Sequence, residues 1–122
     1  MAGVPPDGLT HLRVTLSDTA YIGPGRADLL ELIDKTGSIS AAGKAMGMSY
    51  KRAWGLVQAL NEGFGTALVE SSRGGATQGG AQLSAAGRLV LASYRAMQDK
   101  TRSAIADEVT ALRRKFDMSR RK

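Results

Sequence analysis

The chain has 122 residues, a length suited to one domain, and its 43% apolar content allows a modest core. No apolar run approaches the roughly 18 residues of a membrane helix, and MAGVPPDG has no charged region leading into an apolar stretch, so no signal peptide is expected. Cysteine is absent, which excludes disulfides, thiolate metal sites and a thiol nucleophile and fits a reducing cytoplasm, and the net charge of +6 is concentrated at one end. The last ten residues, RRKFDMSRRK, hold six basic groups and one acid, so the preceding 112 sum to about +1. Overall basicity is therefore weak evidence for a polyanion partner. A local pattern is better evidence: residues 36–61 contain Lys44, Lys51 and Arg52 and no acid.

Residues 1–10 read as a flexible arm. In HLRVTLS, Leu12, Val14 and Leu16 alternate with Arg13, Thr15 and Ser17, the period-two pattern of a half-buried strand. Gly23, Pro24 and Gly25 break that pattern. Leu29, Leu30 and Ile33 then recur at helical spacing between Arg26 and Lys35, and Gly37 is a natural stop. Ser38 or Ser40 can cap a second, short helix reaching Ala45 or Met46, which Gly47 ends. Ser49 caps a third helix, on which Ala53, Leu56, Val57, Leu60 and Phe64 share one face; Gly63 and Gly65 terminate it.

Two short strands follow, at 68–71 and 81–83, joined by a glycine-rich hairpin tip over 74–80. From Ser84 a long helical pattern carries Val90, Tyr94, Met97, Thr101, Ile105, Val109, Leu112 and Phe116 at steps of three or four. Residues 84–116 as one helix would span ~50 Å. That outruns a small core, so the seam is expected to pair with a second chain in preference to folding back. Leu29, Leu30, Ile33, Tyr94, Met97, Ile105, Val109 and Leu112 are the expected homodimer interface.

Strand, three helices, hairpin and long helix make a mainly α fold with small β: a winged helix-turn-helix over 11–83, a dimerisation helix over 84–116 and a basic tail over 117–122. Helices crossing over a tight turn must approach closely. That accounts for Ala41, Ala42 and Gly43 at the crossing, and for Gly47 in the turn. Met46 and Met48 read as packing beneath it.

With Ala53, Val57 and Leu60 inward, Lys51, Gly55 and Gln58 point outward, and Ser49, Tyr50 and Arg52 surround the helix start. A major groove accepts such a helix, whose first turns read base edges. Lys and Arg suit guanine or phosphate, and Gln58 suits adenine. Gly55 costs ~1 kcal/mol of helix propensity against Ala, which close approach to DNA would offset. Arg73 at the hairpin tip is placed for phosphate or a minor groove. Lys44, Ser38 and Ser40 are placed to clamp backbone phosphates.

GPGRADLLELIDKTGSISAAGKAMGMSYKRAWGLVQALNEGFG, followed by LVESSRGGATQGGAQLSAAGRLVL, closely resembles the N-terminal DNA-binding domain of the molybdate-responsive ModE-type regulators. The helix-turn-helix is also similar to that of LysR-type regulators. The resemblance runs from about Leu12 to Met97, and GSISAA, GMSYKRAW and the wing ending in LSAAGR are its most specific parts. It implies a dimer that binds operator DNA near molybdenum-uptake or molybdoenzyme genes. The chain departs from that family in having Gly43 where alanine is usual, which should loosen the second helix slightly. It also ends after the long helix, where larger members carry molybdate-binding domains. The expectation is a stand-alone DNA-binding half that does not itself bind molybdate.

Simpler readings compete at several positions. Trp54 lies at the edge of the apolar face, and core packing is favoured over stacking on a base. Tyr50 is balanced between the two. His11 has no second ligand beside it in sequence, so neither metal nor cofactor is expected. The tail reads as a solvated end, with non-specific DNA attraction as the second reading. One histidine, no cysteine and no paired carboxylates in a glycine-rich cleft leave little for catalysis, so no enzyme is expected. The alternatives to a sequence-specific regulator are a winged-helix protein-interaction module and a non-specific architectural DNA-binding protein.

Overall fold

A computed structural model describes residues 7–72 and 80–116. The elements run β1 (Val14–Thr15), β2 (Tyr21–Ile22), α1 (Pro24–Thr36), α2 (Ile39–Ala45), α3 (Tyr50–Phe64), β3 (Val69–Ser72), β4 (Gly80–Leu83) and α4 (Ala85–Lys115). β1 and β2 form a small antiparallel hairpin with Val14 opposite Ile22. The sequence pattern shows β1 but not its short partner. The Gly23–Pro24–Gly25 break is the start of α1: Gly23 is the N-cap and Pro24 occupies the first turn, where its missing N–H costs nothing. Gly37 closes α1 at φ 72°, its N–H donating to the Ile33 carbonyl.

The core gathers where α1, α2, α3, the second hairpin and the start of α4 meet. Ile22, Leu29, Leu30, Ile33, Ala42, Ala53, Val57, Leu60, Leu68 and Tyr94 are all buried. Leu56, Phe64, Met46 and Met48 are half-buried against them, so the apolar face expected on α3 is the one that packs. Gly63 does not end α3. It lies inside the helix where the loop after β1 crosses, and a side chain there would collide with the Thr19 carbonyl. Gly65, at φ 69°, is the C-cap.

β3 and β4 pair antiparallel from Val69–Leu83 to Ser72–Gly80. The Asn61 side chain anchors the base of this wing, Oδ1 accepting from the Leu68 amide at 2.8 Å and Nδ2 donating to the Val69 carbonyl at 3.3 Å. Ala81 N–H donates to the Gly37 carbonyl at 2.9 Å, tying the wing to the α1–α2 turn. The hairpin tip with Arg73 and the tail over 117–122 lie outside the described residues.

The expected dimer seam requires correction. Leu29, Leu30, Ile33 and Tyr94 are 0% exposed within one protomer, so their side chains have no surface left for a partner. Tyr94 also donates its hydroxyl to the Leu12 carbonyl at 2.7 Å, and burial pushes its phenol pKa up. Met97, Ile105 and Val109 are half-buried, and Leu112 is 60% exposed. Part of that seam is covered by the start of the chain. Asp7 Oδ2 lies 2.8 Å from Arg102 Nε, close enough for an ion pair though without hydrogen-bond alignment, and Gly8 sits against Val109 and Arg113. The last described residues of the expected arm are thus docked on α4.

Candidate nucleic-acid interface

Capping and close packing hold α2 and α3 in one unit. Ser38 Oγ accepts from the Ala41 amide at 3.0 Å and Ser49 Oγ from the Arg52 amide at 3.1 Å, satisfying amides that a helix start otherwise leaves open. Between them Gly47 takes φ 74°, a conformation that disfavours any L side chain. A Cβ on Gly43 would sit 2.8 Å from Ala53 Cβ. Glycine therefore sets how closely the helices cross.

The crossing fixes which face of α3 is free. Ala53, Val57 and Leu60 are buried. Tyr50, Lys51, Arg52, Trp54 and Gly55 are exposed, and Gln58 is half-buried. Tyr50, Trp54 and Gln58 form one i, i+4, i+8 line, with Lys51 and Gly55 on the neighbouring line. Among the described residues nothing lies within 4 Å of where a Gly55 Cβ would stand, so their packing does not demand glycine there. Trp54 is 46% exposed and Tyr50 54%, so Trp54 is not a core residue. The core packing favoured from its place at the edge of the apolar face is thus overturned.

Ser40 and Lys44 are exposed on α2, whereas Ser38 is half-buried and engaged as the cap. Ser49 is exposed, its oxygen likewise engaged. Among the described residues, Lys44, Lys51 and Arg52 join no ion pair. The structure thus brings together Ser49, Tyr50, Lys51, Arg52, Gly55 and Gln58 on or around one helical surface. Sequence reasoning missed Trp54 as a member of it, and also missed Arg13 and Arg26, which share a cleft with Arg52. The alternation in HLRVTLS marks Arg13 as outward-facing, but no signal in the sequence places it beside α3.

A helix-turn-helix followed by a two-stranded wing defines the winged-helix class. Residues 26–88 match the family described as "Bacterial regulatory helix-turn-helix protein, lysR family", and the chain belongs to it. The molybdenum-pterin-binding protein MopB of Rhodobacter capsulatus is 43% identical over 93 residues, covering 75% of this chain and 34% of that protein. The molybdenum transport protein ModE of Azotobacter vinelandii is 38% identical over 96 residues, covering 79% and 33% respectively. The chain therefore spans about a third of the length of these relatives. Among solved structures, the CbnR_DBD–DNA complex aligns with a TM-score of 0.56 at 25% identity, covering 71% of this chain and 95% of that one.

Proposed function

We propose that this chain is a DNA-binding transcriptional regulator of genes for molybdenum uptake or molybdoenzymes, acting in the cytoplasm and not as an enzyme. The observation that carries the DNA reading is the outer face of α3: Lys51 and Arg52 without an ion pair among the described residues, two aromatics and Gln58 beside them, and no acid from residue 36 to 61. The helix enters a major groove, with Lys51 and Gln58 at base edges and Tyr50, Arg52 and Ser49 around its start. Gly55 lets the helix lie close to the duplex. Ser40, Lys44 and the Ser38 hydroxyl hold backbone phosphates, and Arg73, outside the described residues, is assigned a neighbouring phosphate or groove from the sequence alone. The molybdenum reading comes from the names of MopB and ModE.

The chain acts as a homodimer, since two recognition helices must reach sites ~34 Å apart on one face of the duplex. The far half of α4 supplies the contact: Leu112 and Phe116 are exposed there, with Ile105, Val109 and Met97 half-buried on the same helix.

Repeated selection from a random duplex pool tests this reading. A regulator enriches a defined sequence with related half-sites; an architectural binder enriches none, and an interaction module retains no duplex even at low salt. Either of the latter outcomes rejects the proposal.

A further inference from the structure

A cleft of about 230 Å3 opens between the β1–β2 hairpin, the first turn of α1 and the start of α3. Arg13, Arg26 and Arg52 line it with Tyr21, against an apolar side made by Met46 and Leu56, and no acidic residue is among its lining. Among the described residues none of the three arginines joins an ion pair. The guanidinium carbons of Arg13 and Arg26 lie 3.6 and 3.8 Å from the centroid of the Tyr21 ring. Arg26 Nη1 donates to the Tyr21 carbonyl at 3.3 Å, but its buried Nε–H has no acceptor among the described residues. Like charges crowded on one ring repel, and the π-face offsets this only in part. A buried N–H left unpaired is itself unfavourable. An anion in the cleft would relieve both.

We propose that the cleft binds a tetrahedral oxyanion, and that its occupant is a DNA backbone phosphate lying beside the start of α3. Guanidinium groups match phosphate in charge and geometry. Arg52 belongs both to the outer face of α3 and to the cleft, so the cleft is continuous with the surface assigned to DNA. This part of the inference rests on the DNA-binding reading. The β1–β2 hairpin then has a role in fixing the register of the duplex, since phosphate contacts position a protein without specifying sequence.

The test compares the intact chain with Arg13→Gln and Arg13→Lys. Arg13 is exposed and outside the core, so both variants should melt as wild type does. Anisotropy of a labelled duplex between about 50 and 200 mM salt should show the slope of log K against log salt falling by about 1 in Arg13→Gln, and Arg13→Lys should restore it. In parallel, sodium sulfate is titrated into wild type at constant ionic strength while the Gly25 and Arg26 amides and the arginine Nε–H signals are followed by NMR. Saturable shifts with an unchanged slope in Arg13→Gln would keep the oxyanion site but make its occupant a free anion. An unchanged slope with no saturable shift overturns the proposal. If wild type binds no duplex at any salt, the DNA reading fails separately, and the sulfate titration alone decides the cleft.

Discussion

Two surfaces of this small domain use charge in opposite ways. Between α1 and α4, acids and arginines are matched: Arg95 Nη2 reaches Asp28 at 2.9 Å and Glu31 at 2.8 Å, and Arg88 pairs with Asp34 at 3.0 Å. Across α2 and α3, Lys44, Lys51 and Arg52 have no such partners among the described residues, and residues 36–61 hold no acid, the first being Glu62 near the end of α3. Paired charges at the first surface hold the long helix against the body. Unpaired charges at the second contribute nothing to cohesion, which points to a partner outside the chain. Stability should therefore be sensitive to the first surface and the core, and binding to the second.

Substitutions can break that division, beginning with the largest expected effect. Leu30→Ala removes a fully buried side chain and should lower unfolding free energy by about 2–5 kcal/mol in a urea titration. Duplex binding should fall only as far as the folded fraction does. Gly43→Val drives a branched side chain into Ala53 at the α2–α3 crossing and should cost about 1–3 kcal/mol. Because that crossing aims α3, the variant should also lose affinity under conditions where it remains folded.

Gly55→Ala separates the two surfaces most sharply. A Cβ there meets nothing, and replacing glycine within a helix favours folding by about 1 kcal/mol. A raised melting temperature with weakened duplex binding is expected. A raised temperature with unchanged binding would show that α3 does not approach DNA at this position.

The smallest effect concerns pH. The hydrogen bond from Arg95 holds the Glu31 carboxyl below the usual carboxylate range, with Lys35 adding to it and partial burial opposing. A depressed carboxylate stabilises the fold above its unfolded pKa, and that contribution is lost as pH falls through the folded value. Both groups are about a third exposed, so solvent screening keeps the contribution under about 1 kcal/mol. Arg95→Met should thus be less stable than wild type at neutral pH, and the gap should close as the solution is acidified below the ordinary glutamate range.

Local chemistry made much of this readable in advance. Ser38 and Ser49 cap the helices, Gly37 and Gly47 take the left-handed turns, and the spacing of Ala53, Val57 and Leu60 sets which side of α3 is hidden. Each depends on residues a few positions apart. What periodicity cannot supply is the identity of the covering partner. Leu29, Leu30, Ile33 and Tyr94 are apolar at helical spacing whether a second chain or their own domain hides them. The same limit applies to Trp54, whose boundary position fits burial or exposure. The cleft around Tyr21 joins residues about 40 apart in sequence, and no local pattern reports it.

The most direct test of the central claim is the affinity of a Lys51→Ala/Arg52→Ala variant for a duplex enriched by the wild-type chain. Loss of two such contacts should weaken binding by at least about tenfold, with the melting temperature unchanged. Equal affinity in a folded double variant would contradict the assignment of α3 as the helix that reads DNA.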